Sequence, residues 1–261
     1  MAAIDLDDTL LGPDKEISPT NVEALRRLQA HGVRIVLASG RRHENMLRFH
    51  RHLGLDGYII SCQGALVRNA ETNEILHRHL MEAEDAADVL RLGMERDMTQ
   101  MYYHLDTTYT RERTPYTDIY ENRTASTTTK IGDLTPLIGD RPMKIIWVCD
   151  GTLADAMLPE LRERYAGRLE ILITDPEYVE FMSEGVSKAA GLAAVAAHYG
   201  IAQEETLAFG DGNNDVPMLR WAGMGIAMDH GRPAAHAAAN RIAPAGDPET
   251  SFARAVATLF E

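Results

Sequence analysis

Two aspartates separated by one leucine, in Asp5-Leu6-Asp7-Asp8-Thr9, follow directly on the apolar run Ala2 to Ile4. Such a run reads as a buried strand, which delivers the carboxylates to its carboxyl end, where open α/β sheets carry their chemistry. Paired acids at the mouth of a core strand cost desolvation free energy unless a cation or hydrogen bonds compensate them. The pattern suits metal ligation or proton transfer; the structural alternative is a solvated turn capped by Asp8 or Thr9. A calcium loop is excluded. Counted from Asp5, Leu10 stands where the turn glycine is required, and counted from Asp211, Val216 and Ala222 replace the glycine and the bidentate acid.

Three other groups of residues carry chemical potential. Ser39 precedes Gly40-Arg41 after an apolar run, where a hydroxyl and backbone N–H groups can cradle a phosphate oxygen, although an ordinary helix cap uses the same residue types. Lys188 follows Gly185-Val186-Ser187 at a predicted helix start, where a cation opposes the helix dipole. Gly210-Asp211-Gly212-Asn213-Asn214-Asp215 ends another strand-like run with two glycines and two acids. It is no dinucleotide loop, because Asp215 occupies the third glycine position and would repel a pyrophosphate.

Elements able to position these residues are visible in the apolar periodicity. Ser18-Pro19 reads as an N-cap and first-turn proline for a helix over Thr20 to His31, with Val22, Leu25 and Leu28 on one face. A strand over Val33 to Ala38 leads to Ser39, a helix carries Met46, Phe49 and Leu53, and Tyr58 to Ser61 is a third strand. The alternation resumes with a helix over Ser187 to Tyr199, a strand over Thr206 to Phe209, a helix past Asp215, a strand near Gly225 to Met228 and a last helix from about Glu249. Strand and helix in alternation predict a doubly wound, Rossmann-like parallel sheet. Residues 81–184 differ: an acidic helix, alternating aromatic residues from Thr99 to Thr110, a strand over Met143 to Cys149, and strands near Leu169 to Ile173 and Tyr178 to Met182. This reads as an inserted α+β domain within a core formed by residues 1–80 and 185–261. Most of the five tyrosines Tyr102, Tyr103, Tyr109, Tyr116 and Tyr120 are expected to pack in its sheet.

Bulk composition narrows the function classes. The chain has 261 residues, 45% of them hydrophobic, enough for one or two domains. A net charge of -13 argues against nucleic-acid or anionic-membrane partners, which are held by clustered Lys and Arg. No apolar run approaches the roughly eighteen residues of a membrane span, and no basic, hydrophobic leader precedes Asp5, so a cytoplasmic location is expected. Cys62 and Cys149 lie in separate apolar runs and read as core residues. His50 and His52 point apart on a helix, and His77 with His79 has no third ligand nearby, so no zinc site is expected.

Asp5-Leu6-Asp7-Asp8-Thr9, Ser39-Gly40-Arg41, Lys188 and Gly210-Asp211-Gly212-Asn213-Asn214-Asp215, in that order on a parallel α/β frame, resemble the haloacid dehalogenase superfamily of phosphohydrolases. The match extends to its Cof-like branch, in which a large α/β cap interrupts the core where residues 81–184 stand. One departure is Gln63-Gly64-Ala65, where the family usually shows Asn-Gly-Ala. The resemblance implies a phosphatase acting on a small phosphorylated metabolite such as a sugar phosphate or a phosphorylated cofactor. Asp5 would be the nucleophile forming an aspartyl phosphate, and Asp7 the general acid and base. Mg2+ would be held by Asp5, the backbone carbonyl of Asp7 and Asp211, with Asp215 ordering a ligand water or the neighbouring groups. Ser39, Gly40, Arg41, Lys188 and Asn214 would hold the phosphoryl group, with Lys188 also neutralising charge in the transition state. Selectivity would come from cap residues such as Tyr109, Arg111, Arg113, Tyr116 and Glu180. A phosphosugar mutase and a non-catalytic phosphate- or metal-binding regulator are the alternatives, and a monomer or small homo-oligomer is expected.

Overall fold

Short apolar strands whose side chains alternate between two buried faces build the first part of the molecule. The computed structural model describes residues 1–260 and divides into two units, one of Met1–His77 with the chain from Ser187 onward, the other of Arg78–Val186.

The first unit begins with β1 (Ala2–Asp5), α1 (Pro19–Ala30), β2 (Ile35–Ala38), α2 (His43–His52), β3 (Tyr58–Ser61), β4 (Leu66–Asn69) and β5 (Ile75–Arg78). The second unit follows with α3 (Ala83–Glu95), β6 (Thr99–His104), β7 (Thr107–Thr110), α4 (Pro115–Thr124), β8 (Thr129–Lys130), β9 (Lys144–Val148), α5 (Gly151–Arg164), β10 (Leu169–Ile173) and β11 (Tyr178–Ser183). The first unit is completed by α6 (Lys188–Tyr199), β12 (Leu207–Gly210), α7 (Val216–Trp221), β13 (Met224–Ala227), α8 (Pro233–Ala238), β14 (Arg241–Ile242) and α9 (Ser251–Ala257).

Its sheet runs β14-β13-β12-β1-β2-β3-β4-β5. Strands from β14 to β3 are parallel, and β4 pairs antiparallel with β3. Ala2, Ile4, Ile35, Leu37, Phe209 and Ile226 enter one core with α1, α2 and α9. Ala3, Val36, Ala38, Ala208 and Ala227 enter another, with α6, α7 and α8. Burial of both faces makes the strands read as continuous apolar runs, the mark of a doubly wound sheet. The chain leaves β1 toward β2 and β3, then returns to its other side as β12 and β13. Strand order therefore reverses at β1, and the carboxyl ends of β1, β2 and β12 flank that point, where ligands bind in open α/β sheets. The hairpin-like edge of β4 and β5 went unread in the sequence, because β5 has no buried residue and shows no alternating face.

The second unit is a six-stranded sheet, β10-β11-β9-β6-β7-β8, antiparallel except for β7 with β8. One face, with Tyr102, Ile145, Trp147, Val179 and Phe181, packs on apolar residues of α3 and α5. On a neighbouring register the sheet buries an ion pair, Lys144 Nζ to Glu180 Oε2 at 2.9 Å, with Thr174 donating to the other Glu180 oxygen. Tyr102, Tyr103 and Tyr120 are buried, as most of the tyrosines were expected to be, and Tyr109 and Tyr116 are half-buried. Arg111 pairs with Asp97 and Glu112, and Arg113 with Asp118. Both cysteines are buried and free.

Gly64 follows β3 in the turn that faces the start of α6. Its φ is +96°, and a Cβ there would lie 2.1 Å from the Ser187 carbonyl oxygen. Gly64→Ala should lower unfolding stability by about 3 kcal/mol, combining a left-handed backbone penalty with displacement of the α6 N-terminus. Chemical denaturation at constant m-value measures this, and an unchanged midpoint would contradict the close approach.

Candidate active site

Asp5 is the last residue of β1 and pairs in register with Ala38 of β2, so the sheet itself fixes its backbone. Beyond it the chain turns sharply: the N–H groups of Leu10 and Leu11 donate to the Leu6 carbonyl, and Asp8 adopts a φ of +60°. Lys188 enters from the first turn of α6, where the Ser187 side chain caps the Ala190 N–H. Asp211, Asn214 and Asp215 belong to the turn after β12, joined to α7 through a short 3-10 segment.

These segments bring Lys188 Nζ to 2.5 Å from Asp5 Oδ1 and 2.6 Å from Asp215 Oδ1, all three groups fully buried. The second oxygen of Asp215 accepts the N–H groups of Asp211 and Gly212 at 3.0 and 2.9 Å. Both oxygens of Asp215 are thus engaged, which makes it the group that holds Lys188 and the β12 turn together. Asp211 lies in the same cluster, its Oδ1 accepting the Thr9 hydroxyl at 2.9 Å. Ligand atoms of Asp5, Asp211 and Asp215 all fall within 4.8 Å of one another, the spacing of a metal centre.

Burial of these charges shifts their protonation. Burial and the neighbouring Asp215 carboxylate push Asp5 well up from the usual carboxylate range, against the pull of Lys188. The same two causes push Asp211 up to about 7. Burial opposes the charge on Lys188, but the Asp215 and Asp5 carboxylates outweigh it and hold the ammonium protonated. When ionised, the three carboxylates exceed the one ammonium by two negative charges, and hard oxygen ligands of that charge suit a divalent cation such as Mg2+.

Asp7 stands apart from this cluster. Arg41 donates to both its oxygens, from Nε at 2.8 Å and Nη2 at 2.7 Å, and Lys15 approaches at 3.3 Å. Burial would raise Asp7, but the Arg41 hydrogen bonds and charge, aided by Lys15, hold it below the usual range. Of the residues expected at the phosphoryl group, Ser39 is buried at the end of β2. Its hydroxyl accepts the Arg41 N–H at 3.2 Å. Helix α2 starts only at His43 and is capped by Arg42 without a side-chain bond, so Ser39 and Gly40 sit in the loop ahead of the helix and not at its first turn. Asn214 Nδ2 donates to Gln63 Oε1 at 3.1 Å.

The structure therefore gathers Asp5, Lys188, Asp211 and Asp215 into one cluster, with Asp7, Ser39, Arg41 and Asn214 on the adjoining turns of the same carboxyl edge. Sequence reasoning did not assign Thr9 or Lys15, and it placed Arg41 at the phosphoryl group, whereas the Arg41 guanidinium is engaged by both oxygens of Asp7. Thr9 stood inside the first motif and Arg41 inside the second, but nothing in spacing alone joins Arg41 to Asp7, which is 34 positions away.

Comparison with known proteins agrees with this geometry. The chain matches the haloacid dehalogenase-like hydrolase family over residues 2–254. It is 28% identical over 236 residues to the HMP-PP phosphatase of Escherichia fergusonii, covering 89% of this chain and 85% of that protein. It is 25% identical over 272 residues to the 5-amino-6-(5-phospho-D-ribitylamino)uracil phosphatase of Bacillus subtilis, covering 100% and 97%. Among solved structures, a haloacid dehalogenase-like hydrolase from Bacteroides thetaiotaomicron superimposes with a TM-score of 0.87 at 28% identity, covering 99% of this chain and 98% of that one. Motif order, carboxyl-edge geometry and a match along nearly the whole chain place this protein in the haloacid dehalogenase-like hydrolase family.

Proposed function

We propose that the protein is a Mg2+-dependent phosphatase that hydrolyses the phosphomonoester of a small metabolite through an aspartyl phosphate on Asp5. The observation that carries this reading is the cluster of Asp5, Lys188, Asp211 and Asp215 at the switch point of the sheet, with Asp5, Lys188 and Asp215 buried and Asp211 half-buried. Relatives named as phosphatases of small phosphorylated compounds support the substrate class.

Lys188 binds Asp5 through Oδ1, leaving Oδ2 outside the ion pair as the oxygen to attack phosphorus. Attack of an anion on an anion is the barrier to be met: two unit charges about 4 Å apart repel by roughly 4 kcal/mol at an effective dielectric of 20. Lys188 lowers that repulsion from its fixed position between Asp5 and Asp215. A bound Mg2+, held by Asp5, Asp211 and the backbone carbonyl of Asp7, would supply the remaining charge neutralisation. Asp215, with both oxygens engaged, holds the Asp211 turn and Lys188 in register. Asp7 gives a proton to the departing alcohol oxygen, then takes one from the water that cleaves the aspartyl phosphate. The Ser39 hydroxyl and Asn214 amide bind phosphoryl oxygens.

Phosphate release from sugar phosphates, nucleotides, flavin mononucleotide and pyridoxal phosphate, with and without Mg2+, tests the proposal. Asp5→Asn should keep the fold, since the amide is isosteric, and lose turnover by about a thousandfold or more. A variant retaining half the activity would sink the mechanism. Consumption of a sugar phosphate without inorganic phosphate would favour a mutase. Asp7→Asn should slow hydrolysis of an alkyl phosphate, which needs both its acid and its base step, at least as much as that of p-nitrophenyl phosphate, and an unchanged rate on the alkyl phosphate would remove Asp7 from its role.

The elevated Asp211 yields a pH dependence. With the folded carboxyl at about 7 and the unfolded one near its ordinary value, the folded state holds a proton that the unfolded chain has already lost. This contribution therefore destabilises the metal-free protein progressively as pH rises from about 4 to about 7. Cation binding requires the ionised carboxyl, so the rise in Tm on adding Mg2+ should be larger at about pH 8 than at about pH 5.5. A pH-independent increment, read by thermal melts, would exclude Asp211 as a ligand.

A further inference from the structure

We infer that Gln63 is a positioning residue that fixes the Asn214 amide for the phosphoryl group, an inference that rests on the phosphate-binding role proposed for Asn214. Gln63 lies in the turn after β3 and is 3% exposed, although it is a long polar side chain. Its φ is +59°, and that of Cys62 before it is +50°, so two consecutive residues with side chains occupy the left-handed region. Such backbone costs about 1–3 kcal/mol per residue and persists only where surrounding contacts over-determine it.

The contacts at Gln63 reach two other segments of the carboxyl edge. Its N–H donates to the Ser39 carbonyl at 3.1 Å, while the Cys62 N–H donates to the Arg41 carbonyl at 2.9 Å, which ties the turn to the loop after β2. Its carboxamide lies across Gly40 so closely that a Cβ on Gly40 would meet Gln63 Nε2 at 2.4 Å. Its Oε1 accepts Asn214 Nδ2 from the turn after β12 at 3.1 Å. Tight passage over Gly40 and an acceptor aimed at Asn214 together hold the carboxamide in one orientation.

The consequence falls on Asn214. A free asparagine amide can turn over and present its carbonyl oxygen, which repels an anion. With Nδ2 held by Gln63 Oε1, that turn would set two carbonyl oxygens against each other and leave both without a partner. One Nδ2 hydrogen is committed to Gln63, and the second remains a donor for a phosphoryl oxygen. Gln63 thereby acts through Asn214 and not on the substrate.

The experiment is a double-mutant cycle between Gln63 and Asn214. Gln63→Met removes the acceptor at similar volume, and Gln63→Gly removes the side chain while adopting the left-handed backbone freely, so that at least one of the two folds. Each is measured alone and with Asn214→Ala, for kcat and KM on p-nitrophenyl phosphate, for competitive inhibition by inorganic phosphate, and for Tm. Each Gln63 variant should lose about tenfold in kcat/KM and in phosphate affinity, the order of one hydrogen bond to a charged group. Both losses should vanish when Asn214 is already alanine. Equal losses with and without Asn214 would mean that Gln63 acts structurally and would overturn the inference, as would full phosphate affinity in both Gln63 variants. Wild-type kinetics in Asn214→Ala alone would instead remove Asn214 from the phosphate site and take this inference with it, while leaving the role of Asp5 intact.

Discussion

Lys188 and the carboxylates of Asp5 and Asp215 share a space with almost no water, and most of the first unit can be read as the apparatus that keeps them there. Each ion removed from water costs several kcal/mol, recovered only if partners stay within hydrogen-bond distance. Loops alone fix such distances poorly. Here Asp5 is the last residue of a central strand paired on both sides, Lys188 stands in the first turn of a capped helix, and Asp215 is tied to its own turn by two backbone N–H groups. The apolar runs that fill both faces of the sheet hold these three elements in place, so packing far from the site sets its electrostatics.

Much of this was visible in the residues. Alternating apolar runs of four to six residues with helical segments between them leave little but a parallel, doubly wound sheet, and the acids and lysine fell where strands end and helices begin. Chain order of the motifs then identified which acids belong together, although 183 positions separate Asp5 from Lys188. The parts that stayed hidden did so for separate physical reasons. The edge strand β5 has no buried residue and so shows no alternation between a buried and an exposed face. The Arg41 side chain could as well have faced a phosphate as a carboxylate, and only the structure shows that it engages both oxygens of Asp7. The start of α2 at His43 was also out of reach, since Ser39-Gly40-Arg41 has the composition of a cap without serving as one.

The turns of the site carry their own cost. Asp8, Cys62 and Gln63 all adopt positive φ without being glycine, and all three lie within the loops that follow β1 and β3. Strain of this kind collects where side chains must be aimed and not merely buried. At Asp8 it accompanies the turn that closes on the Leu6 carbonyl, and at Gln63 it accompanies a carboxamide held against Asn214. The resting fold thus spends stability on orientation before any substrate arrives.

Environments that push neighbouring carboxyls apart usually reveal which is acid and which is base. Taken at face value, Asp5 and Asp211 would be the protonated groups and Asp7 the ionised one, the reverse of what the proposed reaction needs. The inversion follows from charge. Asp5 and Asp211 are raised by burial and by the excess of negative charge around them, so a divalent cation beside them favours their ionised forms. Asp7 is lowered by Arg41 and Lys15, and a phosphate dianion arriving nearby competes for those cations while its own charge favours a proton on Asp7. Metal and substrate together would convert the resting arrangement into one with an ionised nucleophile and a protonated acid. In the proposed reaction the metal thus acts on the protonation of Asp5 and Asp211, and the substrate on that of Asp7.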